Sequence, residues 1–195
     1  MPLQIEKFRL KDIGRICSWI KSEAQIVQWS GPVFDWPLTQ KQLREHLRAV
    51  KTRPPTLFLF GLYRGRKLIG YCELSHYNRK SQSANLSRVI ISPKHRNKGL
   101  AQIMISSILE FGFGELGLNR IGLGVFDFNK QAVKCYKNMG FKPEGTLRQT
   151  AKVGDSFWNS NMMSILRKEW PDVHAGRHKT SIADIKTLVD IKPAN

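Results

Sequence analysis

The chain is 195 residues long and 41% hydrophobic, which fits a single domain with one continuous core. No apolar run approaches the roughly 18 residues that cross a bilayer, and Met1 to Leu10 lacks the apolar stretch of a signal peptide; no membrane partner is expected, and the cytoplasm is the expected compartment. Lys and Arg number 32 against 15 Asp and Glu, and this formal +17 points either to an anionic partner (a phosphorylated cofactor, RNA as in the ribosome, or an acidic protein) or to a surface charged only for solubility.

Leu3, Ile5 and Phe8 predict a short strand, and Ile13, Ile16 and Ile20 lie at helical spacing within Leu10 to Ile26, which predicts one helix. Glycine and two prolines break that period across Trp29 to Pro37, an expected loop rich in aromatics. Thr39 is placed to cap a helix running to about Val50, with Leu43 and Leu47 inside, Lys41, Arg44 and Arg48 outside, and Pro54-Pro55 as its stop. Leu57–Tyr63 and Lys67–Leu74 flank the turn signal Arg64-Gly65-Arg66 and read as a β-hairpin. Alternation along its second strand groups Ile69, Tyr71, Glu73 and Ser75 on one face and Cys72 and Leu74 on the other.

A further strand, Ala84 to Ser92, stops at Pro93. A helix then begins near Lys98 with Leu100, Ile103, Met104, Ile108 and Phe111 at helical spacing, and ends in the glycine-rich stretch Gly112 to Gly117. Strand and helix alternate again over Arg120–Phe126, Asn129–Met139 and Phe141 onward, with Gly140 where a helix C-terminus wants glycine. Leu147–Ala151 and Phe157–Leu166 predict a closing hairpin turned at Gly154-Asp155. An irregular stretch from Pro171 to Lys179 leads into Ile182, Ile185, Leu188 and Val189 at helical intervals, so residues 171–195 read as an extension carrying a short amphipathic helix beyond a domain of residues 1–170. Cys17, Cys72 and Cys135 suit neither a disulfide framework nor a zinc cluster, and no metal is expected.

The chemistry concentrates in Val89 to Gln102, where a strand runs into a basic, glycine-containing turn that opens a helix. No acidic residue lies between Glu73 and Glu110, whereas Arg79, Lys80, Arg88, Lys94, Arg96 and Lys98 do. The free N–H groups and dipole of a first helical turn favour a phosphate by about 0.3 to 1 kcal/mol, Arg96 and Lys98 add charge, and Gly99 lets the anion reach the backbone. By itself such a junction also fits an ordinary strand-to-helix turn. Farther along stands Asn129-Lys-Gln-Ala-Val-Lys-Cys-Tyr-Lys-Asn-Met-Gly-Phe141.

Together the two segments resemble the cofactor-binding motifs of the GNAT superfamily of N-acetyltransferases. Arg96-x-x-Gly99-x-Ala101 matches its pyrophosphate loop, and Asn129, Ala132, Tyr136 and Gly140-Phe141 match its second motif. The likeness covers residues 3–170 and is nearest to the branch of spermidine and ribosomal-protein N-terminal acetyltransferases. It implies an α/β (α+β) fold: a mixed, twisted sheet flanked by helices and splayed open between the strand ending near Ser92 and the strand Arg120–Phe126. It also implies acetyl-CoA as cosubstrate, its pantetheine arm along Val89, Ile90 and Ile91 and its pyrophosphate on the amides of Arg96, Asn97, Lys98, Gly99, Leu100 and Ala101. Asn97 stands where the family favours glycine, and asparagine tolerates the left-handed conformation better than most residues.

Acetyl transfer to an amine needs a neutral nucleophile, donors for the thioester oxygen and a proton for the departing thiolate. Backbone N–H near Ile90 or Ile91 serves the oxyanion if that strand is bulged. Tyr136 matches the family tyrosine that faces the CoA sulfur; packing beside Ala132 and Val133 is the other reading. Asn129 caps its helix and steadies the cofactor arm. Glu73 matches a glutamate of the spermidine-acetylating relatives, as a base acting through water, with a buried ion pair to Arg88 as the equal alternative. Acceptor contacts are expected from Trp29, Phe34, Asp35, Trp36, Phe157 and Trp158, and core packing from Trp19 and Trp170. The expected partners are acetyl-CoA and a primary amine: a polyamine, amino acid, aminoglycoside or protein N-terminus. A polyamine is consistent with +17 only if Glu73, Asp35 and Glu23 form a local acidic pocket. A homodimer, and a ribosome or other polyanion, complete the partners considered, the last as a separate reading in which the acetyl-CoA fold is vestigial.

Overall fold

Short apolar runs bounded by turns build a seven-stranded sheet in the computed structural model, which describes residues 2–48 and 55–170. Along the chain lie β1 (Leu3–Lys7), α1 (Ile13–Trp19), α2 (Glu23–Ser30), α3 (Gln40–His46), β2 (Leu57–Arg64) and β3 (Lys67–Asn78). There follow β4 (Ser83–Ile91), α4 (Leu100–Glu110), β5 (Arg120–Phe126), α5 (Lys130–Asn138), β6 (Lys142–Val153) and β7 (Ser156–Leu166). The strand order is β1-β2-β3-β4-β5-β7-β6, antiparallel throughout except that β4 and β5 run parallel.

The two faces of this sheet bury separate cores. Cys72 and Leu74 pack with Leu100, Met104, Ile105 and Ile108 of α4, and half-buried Ala132, Val133 and Tyr136 of α5 join that side. Tyr71 and Leu59 pack on the other face with Ile13 and Ile16 of α1, Ile26 and Val27 of α2 and Leu43 of α3. Ile13, Ile16, Ile26 and Leu43 are almost wholly removed from water. Each such side chain contributes about 1.5 to 3 kcal/mol, and together they hold three short helices on the sheet.

Several elements differ from the sequence reading. The helix expected from Leu10 to Ile26 is two helices: Ile20 is extended, and Ser22 caps α2 by accepting from Gln25 N at 3.3 Å while Gln25 Oε1 accepts from Lys21 N at 2.8 Å. This reciprocal pairing is close to a capping box and starts a new helix that runs on through Trp29 and Ser30, so the expected loop begins later. Ile69 does not share a face with Tyr71 and Glu73. A bulge opposite Leu62 and Tyr63 gives β3 one extra residue, which reverses the alternation and sends Ile69 to the side of Cys72 and Leu74. The helix at Leu100 does not end at its glycines but widens into a π-helical turn over Phe111–Glu115. A side chain at Gly112 would meet Ile121 Cδ1 at 2.7 Å, so close packing on β5 requires that glycine. Thr39 caps α3 as expected, accepting from Gln42 N at 3.3 Å. The expected end of that helix near Val50 and the C-terminal helix of residues 171–195 lie outside the described residues.

Candidate active site

The parallel ladder between β4 and β5 is short: Ser83, Ala84 and Asn85 pair with Arg120, Ile121 and Gly122, and the strands then part. The gap opens into a cleft of about 600 Å³. One wall is Val89, Ile90 and Ile91 of β4; α5 presents Gln131, Lys134, Cys135 and Asn138, a run of positions that share one helical face. The floor of the entrance is the turn into α4, where Arg96, Asn97, Gly99, Leu100 and Ala101 line the space and Lys98 does not. From above, α2 adds Gln25, Gln28 and Trp29.

The turn is built for close approach to a backbone. Asn97 (φ 59°) and Gly99 (φ 71°) are both left-handed, and the space where a Gly99 side chain would stand is open. Gln131 Nε2 donates to Asn97 Oδ1 at 2.6 Å, tying α5 to the turn across the cleft mouth. The Arg96 side chain folds back, its Nε donating to Ile91 O at 3.1 Å, which fixes the turn against the end of β4. Asn129 caps α5 through its side-chain oxygen, 3.2 Å from Ala132 N.

The bulge on which an oxyanion role depends is present. Tyr71 pairs with Ile90 but Glu73 with Ser87, so β4 carries one residue too many at Arg88–Val89, and Arg88 sits at φ 49°. Trp29 Nε1 donates to Arg88 O at 2.8 Å and stacks on Phe34, with ring centroids 6.0 Å apart. A left-handed arginine is costly, and the indole is one of the contacts that hold it.

Tyr136 lines the cleft from α5, its ring edge-on to Phe141 at 5.7 Å. Its hydroxyl makes no hydrogen bond among the described residues. Burial, with smaller contributions from Cys135 and Cys72, pushes its phenol well above the ordinary value, so it stays protonated at neutral pH and is able to donate.

Glu73 is placed otherwise than a cleft-facing base requires. It is fully buried and outside the cleft lining, Oε1 accepting from Tyr71 Oη at 2.6 Å and Oε2 from Arg88 Nη1 at 2.7 Å. His46 Nε2 lies 3.2 and 3.1 Å from the two oxygens. Of the two readings of Glu73, this geometry is the buried ion pair. His46 is absent from the sequence-derived candidates; it stands 27 residues away on α3, and no local pattern links the two.

Among the aromatic candidates, Trp29 lines the cleft. Phe34 is buried against Trp29 and His46, Asp35 and Trp36 are exposed on the loop, and Trp158 packs on Phe126 and Phe128 at 5.2 and 4.7 Å; none of these four lines the cleft. Phe157 is exposed at the hairpin turn. Trp19 packs against the core as expected and also contributes to the cleft wall, and Trp170 packs on Phe113 as expected. The acidic pocket that a polyamine would need does not assemble: Glu73 is paired with Arg88 and bonded to Tyr71 and His46, Glu23 and Asp35 are exposed, and the cleft lining contains no carboxylate. No group of His, Cys, Asp and Glu among the described residues is arranged to hold a metal ion, and no helix among them is long and apolar enough to cross a membrane.

Known proteins are similar to this chain in sequence and fold. An uncharacterized N-acetyltransferase, YoaA of Bacillus subtilis, is 34% identical over 102 residues, 52% of this chain and 57% of that protein. The spermidine N(1)-acetyltransferase of Vibrio cholerae is 33% identical over 105 residues, 54% of this chain and 60% of that one. The chain thus spans under two thirds of the length of either relative. A crystal structure of spermidine N-acetyltransferase from Vibrio cholerae in complex with CoA and spermine superposes with a TM-score of 0.75 at 26% identity, over 87% of this chain and 98% of that one. The model of the acetyltransferase (GNAT) family matches residues 23–141, from the start of α2 to the end of the second motif, and the chain belongs to that family.

Proposed function

We propose that this protein transfers an acetyl group from acetyl-CoA to a primary amine by direct attack within a ternary complex. The observation that carries the reading is the parting of β4 from β5 beyond Asn85, with the β4 bulge and Tyr136 on opposite sides of the gap. The left-handed turn Asn97–Gly99 and the amides opening α4 fit the pyrophosphate, and the β4 edge at Val89–Ile91 fits the pantetheine arm.

Acetyl-CoA supplies the thioester. The amine nitrogen forms a bond to the carbonyl carbon, the amide N–H at the bulge stabilises charge on the carbonyl oxygen, and the carbon–sulfur bond breaks. Tyr136 gives its proton to the departing sulfur, and the amine proton passes to solvent, from which the tyrosine is reprotonated. Glu73 serves as a positioning residue: with Tyr71 and His46 it holds Arg88, and so the bulge, in place.

The lining of Gln25, Gln28, Trp19 and Trp29, without a carboxylate, favours an amine on a neutral or acidic body over a polycation, although similar proteins act on spermidine. A panel of spermidine, amino acids, aminoglycosides and short peptides, read by release of free CoA, tests both parts. No release with any acceptor overturns the activity; release with spermidine alone overturns the acceptor class.

A further inference from the structure

Beside the turn into α4 lies a second concavity, of about 660 Å³, lined by Arg15, Arg64, Arg66, Lys67, Ile69 and His95. α1 supplies Arg15, the β2–β3 hairpin supplies Arg64, Arg66 and Lys67, and His95 comes from the segment between β4 and the turn. Four of the six are permanent cations and none is an acid. Arg15 Nε pairs with Asp12 Oδ1 at 3.2 Å, whereas Arg64, Arg66 and Lys67 have no ion-pair partner among the described residues. Like charges converging on a concavity raise its potential and cost free energy that a bound anion would offset.

Regular structure fixes the cluster. Gly65, at φ 58°, turns the hairpin so that Arg64 and Lys67 face each other in register. The bulge at Leu62 and Tyr63 places Ile69 at the cavity floor, where its carbonyl accepts from Ser92 N at 2.8 Å. Ser92 Oγ, 2.7 Å from His95 Nδ1, sets the imidazole between this cavity and the cofactor cleft, which it also lines. Partial burial and the surrounding Arg64, Lys98, Lys67 and Lys94 hold that imidazole below its ordinary value, as expected beside unneutralised positive charge.

We propose that this cavity is an anion site separate from the cofactor cleft, and that it takes a compact ligand bearing at least two phosphate groups. Three unpaired cations exceed what a single phosphate dianion neutralises, and two arginine forks suit phosphate oxygens. The lining has no Phe, Tyr or Trp on which a base could stack, which weighs against single-stranded RNA.

Calorimetric titration of inorganic pyrophosphate, with and without saturating acetyl-CoA, tests the assignment on the wild type and on an Arg64→Glu/Arg66→Glu double variant. The wild type should bind pyrophosphate under both conditions. The double variant should bind it roughly tenfold or more weakly, with acetyl-CoA affinity unchanged. The His95 ring proton signals in NMR should titrate at higher pH once pyrophosphate is bound, as its cationic neighbours Arg64, Lys67, Lys94 and Lys98 become neutralised. Loss of pyrophosphate binding on saturation with acetyl-CoA would assign the anion to the cofactor cleft and overturn the proposal. Equal affinity in the double variant, or binding of a single-stranded RNA with none of pyrophosphate, would overturn it as well. If acetyl-CoA itself failed to bind, the reading of the cleft would fall, and the comparison of wild type with double variant would still decide this cavity.

Discussion

The indole N–H of Trp29, on α2, reaches across 59 positions of sequence to the carbonyl of Arg88, 2.8 Å away, at the bulge of β4. It is the direct bond between the helix roofing the cleft and the backbone at the bulge. Trp29→Phe keeps an aromatic ring beside Phe34 and removes the donor together with part of the indole's packing surface. Turnover should fall roughly tenfold, since geometry at an oxyanion donor is worth that much or more, while acetyl-CoA affinity stays near wild type. Initial rates at saturating substrates, beside a calorimetric titration, check this; a lower melting temperature with unchanged specific activity would make the bond structural only.

Tyr136→Phe should lower turnover about 100-fold or more and leave acetyl-CoA binding within about twofold, because the ring still packs on Phe141 and only the proton is missing. Single-turnover rates separate chemistry from product dissociation. Wild-type rates would return Tyr136 to the role of a packing residue.

Glu73→Gln keeps shape but leaves Arg88 and Tyr71 without their carboxylate. Breaking a buried pair from one side destabilises by about 3 to 5 kcal/mol, so urea unfolding should show a marked loss. The folded fraction should retain acetyl-CoA affinity and lose turnover only to the extent that the bulge relaxes. A pH–rate profile that loses an ionisation, at full stability, would instead make Glu73 a base.

Gly99→Asp places a carboxylate in open space over the helix-opening turn, at a backbone φ of 71° that side chains rarely adopt. Acetyl-CoA binding should drop below detection by calorimetry through both repulsion and strain. Unchanged affinity would mean that the phosphates lie elsewhere.

The central strands are legible in the sequence because burial on both faces leaves nearly unbroken apolar runs such as Leu57–Tyr63, and β5 falls on the expected residues, Arg120–Phe126. The cofactor turn is legible because asparagine and glycine are the residues that hold a left-handed backbone at least cost. The break between α1 and α2 is harder to read: Ile13, Ile16 and Ile20 already satisfy one longer helix, and its signal is the Ser-x-x-Gln pattern at Ser22–Gln25. The face of Ile69 is hidden because a bulge inserts one residue without a compositional trace. His46, Arg88 and Glu73 meet only in three dimensions, and the aromatic loop reads as acceptor-facing because exposed and buried tryptophans look alike in sequence.

Because β4 and β5 share only three residue pairs, the sheet is two half-sheets joined by a narrow strip, one of β1 to β4 and one of β5, β7 and β6. A pantetheine arm lying along the bare edge of β4 would act as a missing strand, stitching the halves together. Cosubstrate would then be a structural component, and heat resistance would report its occupancy. At a free concentration of about 100 times Kd the folded state should gain about 2.7 kcal/mol, and the amides of Val89–Ile91 should become the most strongly protected newcomers in hydrogen exchange.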